Sequence, residues 1–283
     1  MPIYLPETLD EALHMLNVVP DAQILAGGTD FMVEVNFNKH GVHDVIALRR
    51  VNDLKQWSVD AAKGVVTIGS AVPYADMEHG QLAQLFPALA EAARTVGSPQ
   101  IRAAGTLGGN LGTCSPAGDA LPVLFALNAD INVASSRQTR TIPIADFMTG
   151  PKQNALAKDE LILSIDIKTV DGWQGYAKVG TRNAMVISVA SASLVLDKKN
   201  NSSRIALGSV GPTIIRCFQA EEWLKSVHDF STNQVVAESI ATEFGARVSQ
   251  ESRPIDDHRS TAEYRRHAVG VLARRLLQRG CGR

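Results

Sequence analysis

Thr106-Leu-Gly-Gly-Asn-Leu-Gly-Thr-Cys-Ser-Pro-Ala-Gly-Asp119, read together with Leu25-Ala-Gly-Gly-Thr-Asp-Phe31, decides how this chain folds. Glycine lets consecutive backbone N–H groups converge and lets the main chain come close to a ligand. One such loop is a turn; two on one domain point to a long, phosphate-bearing ligand held at more than one place. Thr106, Asn110, Thr113 and Ser115 add side-chain donors, which suits a pyrophosphate better than a bare turn requires. The common nucleotide signatures are missing. There is no GxxxxGKS/T and no GxGxxG after a strand, so neither a P-loop nor a Rossmann site is supported.

Working outward from the loops, Thr8 and Glu11 form a capping box, and Leu9, Ala12, Leu13 and Leu16 follow at helical spacing, with Pro20 stopping the helix. A strand at 22–26 runs into the first glycine loop, and further strands read at 44–51 and 65–69. Residues 74–96 are helical with a break at Pro87. The segment 97–102 leads into the second loop, whose closing Asp119 is placed to cap a helix over 120–128. That helix start, with its orphan N–H groups, favours an anion. Strands follow at 130–134 and 160–167. Past Asp171-Gly172 the pattern becomes a meander at 175–179, 186–196 and 204–211, then helices at 220–227, 233–248 and 261–279. The last helix is read as burying Tyr264, Ala268, Val271, Leu272 and Leu276 and lining its other face with arginine.

Composition narrows the function classes. The 283 residues are 45% apolar, enough for a real core, and the formal net charge of −1 steers the chain toward neither nucleic acid nor an anionic membrane. No apolar run approaches the roughly 18 residues that span a bilayer. Met1–Glu7 shows no basic segment followed by an apolar one, so a cytoplasmic protein without a secretion signal is expected. Cys114, Cys217 and Cys281 are too few and too scattered for a disulfide framework, a CxxC metal site or an iron–sulfur cluster, which takes four thiolates. His40 and His43 sit in a polar loop with no third ligand and read as solvated.

The combination LAGGTDF, VGSPQIR-x-x-GTLGGNLGTCSPAGD and DELILSI resembles the FAD-binding (medium) subunit of the molybdenum hydroxylases, the xanthine dehydrogenase and carbon monoxide dehydrogenase family. Lys178-Val-Gly-Thr-Arg182-Asn-Ala-Met-Val-Ile-Ser188 and Glu263-Tyr-Arg-Arg266 are similar to that family's C-terminal flavoprotein domain, so the resemblance runs over essentially the whole chain. It implies an α+β fold: a two-subdomain FAD-binding domain of the vanillyl-alcohol-oxidase (PCMH) type over 1–172, split near 55, and a smaller α+β domain over 173–283.

The resemblance also implies site residues. Ile24, Leu25, Ala26, Gly27, Gly28, Thr29, Asp30 and Phe31 would wrap the FAD pyrophosphate from one side. Thr106, Gly108, Gly109 and Asn110 would close it from the other. Asp119 would bind the ribityl or phosphate region, cap its helix, or do both. Val96 and Ile101 would pack near the flavin or serve as plain core, and Ile162 would meet the adenine through its backbone. Lys178 would raise the flavin potential by placing a cation near N1 and O2, or form a salt bridge. Arg182 is read as a structural ion pair. Where the family often carries an acid, this chain has Met185 and Val186. Cys114 is a conceivable covalent attachment point, but non-covalent FAD is favoured because the first loop has neither His nor Cys. The arginines at 259, 265, 266, 274, 275, 279 and 283 form a solvated face or a partner-docking surface.

The function so implied is an oxidoreductase component. It takes electrons from [2Fe–2S] clusters on a small partner subunit, in a complex whose large subunit binds molybdenum, and passes them to NAD+ or another acceptor. The assembly implied is a dimer of heterotrimers. A stand-alone flavin oxidase and a non-redox nucleotide-binding module are the alternatives.

Overall fold

The computed structural model describes residues 2–19, 21–37, 43–232 and 234–282. Pro20, His40 and Arg283 therefore lie outside the described residues. The chain forms two compact units: 1–76 with 98–114 and 129–168, and 77–97 with 115–128 and 169–283. The second unit thus recruits two stretches, 77–97 and 115–128, from the sequence region read as the FAD-binding domain.

In the first unit, Thr8 caps the helix Leu9–Val18, its hydroxyl accepting from the Glu11 N–H at 3.2 Å. The Glu11 carboxylate reaches back to the N–H of Glu7 at 2.8 Å, one residue before the cap itself. Leu13 and Leu16 of this helix meet Ile46, Leu48, Val51, Leu54 and Leu161 in one core cluster. Three short parallel strands, in the order Ile3–Tyr4, Val45–Ala47, Gln23–Leu25, make a small sheet. The expected strand over 44–51 stops at Ala47, because Leu48–Arg50 turns into a 3-10 helix. An antiparallel five-stranded sheet follows, ordered Trp57–Asp60, Val65–Gly69, Leu161–Lys168, Asp130–Ala134, Thr139–Pro143. The edge strand Thr139–Pro143 escapes a sequence reading because TRTIP buries only Ile142 and so shows no alternation.

The second unit is an antiparallel sheet of Gly172–Val179, Ala190–Asp197, Ser202–Gly208 and Ile215–Arg216. All eight residues of Ala190–Asp197 are buried, since helices cover both faces. On one face Leu194, Leu196, Ile205 and Leu207 pack with Phe244, Val248, Leu272 and Leu276 of the helices Glu238–Glu251 and Ala262–Gly280. On the other lie Pro87–Thr95 and Ala120–Ala126. There small residues let a helix sit close: a Cβ on Gly208 would stand 2.5 Å from Ser191 Oγ and 2.9 Å from Pro122.

The helical stretch 74–96 is three helices, Tyr74–Met77, Gly80–Leu85 and Pro87–Thr95. Pro87 opens the third at its first position, where its missing N–H costs nothing. Thr261 caps the last helix, its hydroxyl accepting from the Tyr264 N–H at 3.2 Å, but the buried face differs from the expected one. Tyr264 is 49% exposed and Val271 half-buried, while Val269, Ala273, Leu277 and Arg265 turn inward. Arg265 is accepted into the interior because its guanidinium meets the carbonyls of Val189 (2.8 Å) and Ser209 (2.7 Å) and the Asp257 carboxylate (2.6 Å).

The last two helices cross at paired glycines. A Cβ on Gly245 would lie 2.5 Å from the Gly270 carbonyl oxygen, and one on Gly270 would lie 2.8 Å from that of Gly245. Gly245→Ala is therefore expected to cost about 1–3 kcal/mol by forcing the helices apart, read as a lower thermal midpoint. An unchanged midpoint would show that the seam has slack.

Candidate functional site

The first glycine segment and the second as far as Cys114 belong to the first unit, and the first lies backbone to backbone against Ala104 and Gly105, just ahead of the second. A Cβ on Gly27 would collide with the carbonyl oxygen of Ala104, so only glycine fits there. Gly28 has φ +75°, the left-handed region that glycine enters freely. The chain then enters the helix Phe31–Asn36, fastened by Met32 N–H to Gly28 O at 3.0 Å and Val33 N–H to Asp30 O at 3.0 Å. The N–H groups of Gly27, Gly28 and Thr29 meet no acceptor among the described residues.

The second segment is a helix, not the loop its glycines suggested. Ser98 caps Pro99–Ala104, and Thr106 caps Leu107–Thr113 by accepting from the Gly109 N–H at 3.0 Å. Sequence reading missed both helices, though Ser98-Pro99 is a capping residue followed by proline at the first helical position. Glycine serves packing here: a Cβ on Gly108 would lie 2.5 Å from Ser70 Cβ and 2.6 Å from Ser70 O. The N–H of Leu107 binds Val72 O at 3.3 Å, that of Gly108 binds Ser70 O at 2.8 Å, and that of Asn110 binds Thr106 O. The first segment therefore supplies the free donors, and the second forms the floor beneath them.

Two side chains complete this cradle. The Asn110 amide oxygen is buried with no hydrogen-bond partner. Thr113, read as a ligand donor, instead bonds Asp30 Oδ2 at 3.2 Å, with the Lys152 ammonium 3.7 Å from the same oxygen. Lys152 also bonds Glu34 at 2.7 Å, tying down the helix that follows the first loop. Free backbone N–H groups beside glycine fit a phosphate. An orphaned acceptor fits a hydroxyl-bearing chain such as ribose or ribityl. The residues present thus suit the FAD that the sequence resemblance implies. Ile101, 38% exposed, lies on Pro99–Ala104, and Ile162 is buried on the central strand of the five-stranded sheet beside a bulge.

Cys114 ends the Leu107–Thr113 helix in a left-handed conformation and is fully buried, with burial pushing its thiol up to about 11. A thiol so protonated is a poor nucleophile. Among the described residues no group of His, Cys, Asp and Glu is arranged to hold a metal; His43 is described, whereas His40 is not.

The remaining expected residues lie in the second unit. Asp119 does not cap its helix: it is itself helical (φ −66°, ψ −32°) and makes no capping bond. Its carboxylate instead accepts from Lys178 Nζ at 2.6 Å, Tyr176 Oη at 2.8 Å and Thr95 Oγ1 at 3.4 Å. Burial is the largest influence on this carboxyl and pushes it above the ordinary range, opposed by Lys178 and the two hydroxyls. The Tyr176 phenol is driven well up by burial and by Asp119. Lys178 spends its other two protons on the carbonyls of Thr95 (2.9 Å) and Val186 (3.1 Å). An ammonium has three donors, and all are used. Val96, half-buried, ends the helix Pro87–Thr95.

Tyr176 was missed from the sequence; its only signal was its place two residues before Lys178, on the same strand face. Ser115 accepts from the Ala117 N–H. Arg182 makes no ion pair among the described residues; it donates to the carbonyls of Ala184 and Met185, because the hairpin turns its backbone back onto the guanidinium. Arg279 pairs with Glu91 at 2.7 Å and lies over Trp173.

The Asp119–Lys178 pair, each side chain under a tenth exposed, permits a sharp test. Asp119→Leu strands a buried ammonium and is expected to cost about 3–5 kcal/mol in chemical denaturation. Adding Lys178→Met should recover most of that loss. A double variant no more stable than the single would mean that burial, not charge, dominates.

Residues 1–167 match the family model for the FAD binding domain in molybdopterin dehydrogenase, and residues 176–279 that for the CO dehydrogenase flavoprotein C-terminal domain. The chain is 30% identical over 273 residues to the glyceraldehyde dehydrogenase medium chain of Sulfolobus acidocaldarius, covering 96% of this chain and 95% of that one. It is 32% identical over 277 residues to the nicotine 6-hydroxylase medium subunit of Paenarthrobacter nicotinovorans, covering 96% and 94%. In fold it is like quinoline 2-oxidoreductase from Pseudomonas putida 86, with a TM-score of 0.91, 22% identity, and coverage of 99% and 96%. The chain belongs to the FAD-binding medium subunits of the molybdenum hydroxylases.

Proposed function

We propose that this oxidoreductase component carries electrons between subunits: it receives them from [2Fe–2S] clusters on a small partner and delivers them in pairs to NAD+ or another acceptor. A large partner holds the molybdenum cofactor, and the whole assembles in the cytoplasm as a dimer of heterotrimers. FAD suits this junction because, when bound, it takes up single electrons and gives up a pair. The observation that carries the reading is the cradle of the first unit. Its Gly27, Gly28 and Thr29 N–H groups meet no acceptor among the described residues, and the Asn110 oxygen is buried without a partner, an arrangement that suits a bound phosphate and hydroxyl. The chain's three free cysteines fall short of the four thiolates one cluster takes, so clusters belong on a partner.

In this reading Ile24–Phe31 hold the pyrophosphate, and Thr106, Gly108, Gly109 and Asn110 support it, with the Asn110 oxygen accepting from a sugar hydroxyl. Ile162 offers backbone to the adenine; Ile101 and Val96 give apolar contact. Asp119 anchors Lys178, which supports the flavin potential as a fixed positive charge, its donors being already engaged. Residues 1–172, with subdomains meeting near 55, act as the FAD-binding domain and 173–283 as the flavoprotein C-terminal domain. The family-model boundaries at 167 and 176 support that division. FAD is held without a covalent bond, in keeping with the buried, protonated Cys114.

The purified full chain should be yellow and release all its FAD on acid precipitation; a colourless chain that takes up no added FAD would overturn the assignment. Asn110→Ala should weaken FAD binding by about 0.5–1.5 kcal/mol, or roughly two- to tenfold, in a fluorescence titration. Equal affinity would remove Asn110 from the site. Lys178→Met should lower the flavin reduction potential measured by spectroelectrochemistry, and an unmoved potential would end its assigned role.

A further inference from the structure

The hairpin of Met148–Gly150 and Gln153–Asn154 carries a residue out of keeping with its turn. Pro151 and Lys152 are the two turn residues, and Lys152 stands in the left-handed region at φ +55°. A turn with proline first and a positive φ second ordinarily takes glycine or asparagine at that second place. A lysine is strained there, yet its side chain is drawn back onto the protein.

Lys152 reaches both parts of the cradle. Its ammonium lies 2.7 Å from Glu34 Oε1 and 3.7 Å from Asp30 Oδ2. Asp30 directly follows Thr29, the last of the three residues whose N–H groups meet no acceptor, and Glu34 stands one helical turn further on. The Lys152 backbone N–H bonds the Cys114 carbonyl at 3.0 Å, and the side-chain amide of Asn154 bonds the Gly112 carbonyl at 3.0 Å. Both carbonyls sit at the end of the Leu107–Thr113 helix, where intrahelical donors have run out. The hairpin therefore holds the first segment by charge and the second by its last carbonyls. The charge has a second effect. Two carboxylates next to a phosphate site repel the phosphate, and an ammonium against both offsets that repulsion. The hydrogen bond to Glu34 raises the lysine above its ordinary range, so the ammonium stays charged at neutral pH.

We propose that Lys152 is a positioning residue for the FAD pyrophosphate: it offsets the Asp30 and Glu34 carboxylates beside the first glycine segment and latches that segment to the end of the second, an inference that rests on the FAD reading above. It acts through Asp30 and Glu34 and not by holding the cofactor itself. A half-exposed ion pair contributes modestly, and its contribution falls as salt screens it.

The test is a fluorescence titration of the full chain, freed of FAD, with FAD at about 50 mM and about 500 mM salt, the melting temperature of each FAD-free preparation being recorded. Lys152→Met is expected to weaken FAD binding by about three- to fivefold at low salt and by less at high salt, and Lys152→Arg to bind as the wild type does. Glu34→Gln added to Lys152→Met should restore part of the loss, because one of the two uncompensated carboxylates is then gone. Lys152→Gly, which relieves the left-handed strain, should weaken binding as Lys152→Met does without lowering the melting temperature. A Lys152→Met chain with wild-type affinity overturns the role while leaving the FAD site intact; a wild-type chain that takes up no FAD overturns both. A loss that Lys152→Arg shares, that is equal at both salts, or that Glu34→Gln leaves untouched overturns the proposal. A Lys152→Gly chain that melts earlier in step with its lost affinity makes the residue plain scaffold and overturns it as well.

Discussion

The cradle of the first unit depends on one close approach, the backbone of Gly27 against the carbonyl of Ala104. No side chain fits between them, so the two segments fix each other's place directly through main chain, the stiffest part of a protein. Everything useful about the cradle follows from that contact. Gly28 turns left-handed directly after it, and the N–H groups of Gly27, Gly28 and Thr29 meet no acceptor among the described residues. The Leu107–Thr113 helix must lie flat on Ser70 to reach it, which is why Gly108 has no side chain. A site for a charged, extended ligand is thereby built from backbone, and backbone donors lose no rotamer freedom when they bind.

The second unit solves a different problem, burying charge without leaving it unpaired. Asp119 takes three donors, Lys178 finds three acceptors, and Arg265 is held by two carbonyls and a carboxylate. Such groups are costly to take from water and are tolerated only where the geometry repays them. Arg216 is a further case: it forks onto Glu221 and bonds the Phe125 carbonyl and Asn128, closing the end of the helix Ala120–Ala126. The accounting is incomplete at the enclosed Nε of Arg265 and of Arg274, which meet no acceptor.

Much of the fold was legible along the chain because its signals are local. Thr8 caps the helix it announces, Val65–Gly69 and Asp130–Ala134 are strands as expected, and the meander past residue 171 forms. The misses share a cause. Leu107–Thr113 is a helix despite three glycines, because the Thr106 cap and the contact with Ser70 outweigh weak propensity. Asp119 looked like a cap, yet a distant lysine and tyrosine claim its carboxylate. Tyr264 seemed part of the buried stripe, but Arg265 took the inward position once three partners were waiting for it.

The sequence by itself determined where the first helix begins, where several strands run, and that two glycine segments in this order resemble an FAD-binding subunit, because capping, periodicity and motif spacing are properties of neighbours in the chain. Only the tertiary structure decided which of those segments carries the free N–H groups, that Tyr176 joins Asp119 and Lys178, and that Lys152 reaches Asp30 and Glu34. Those outcomes depend on groups tens of residues apart competing for the same donors and acceptors. No local pattern can record that competition.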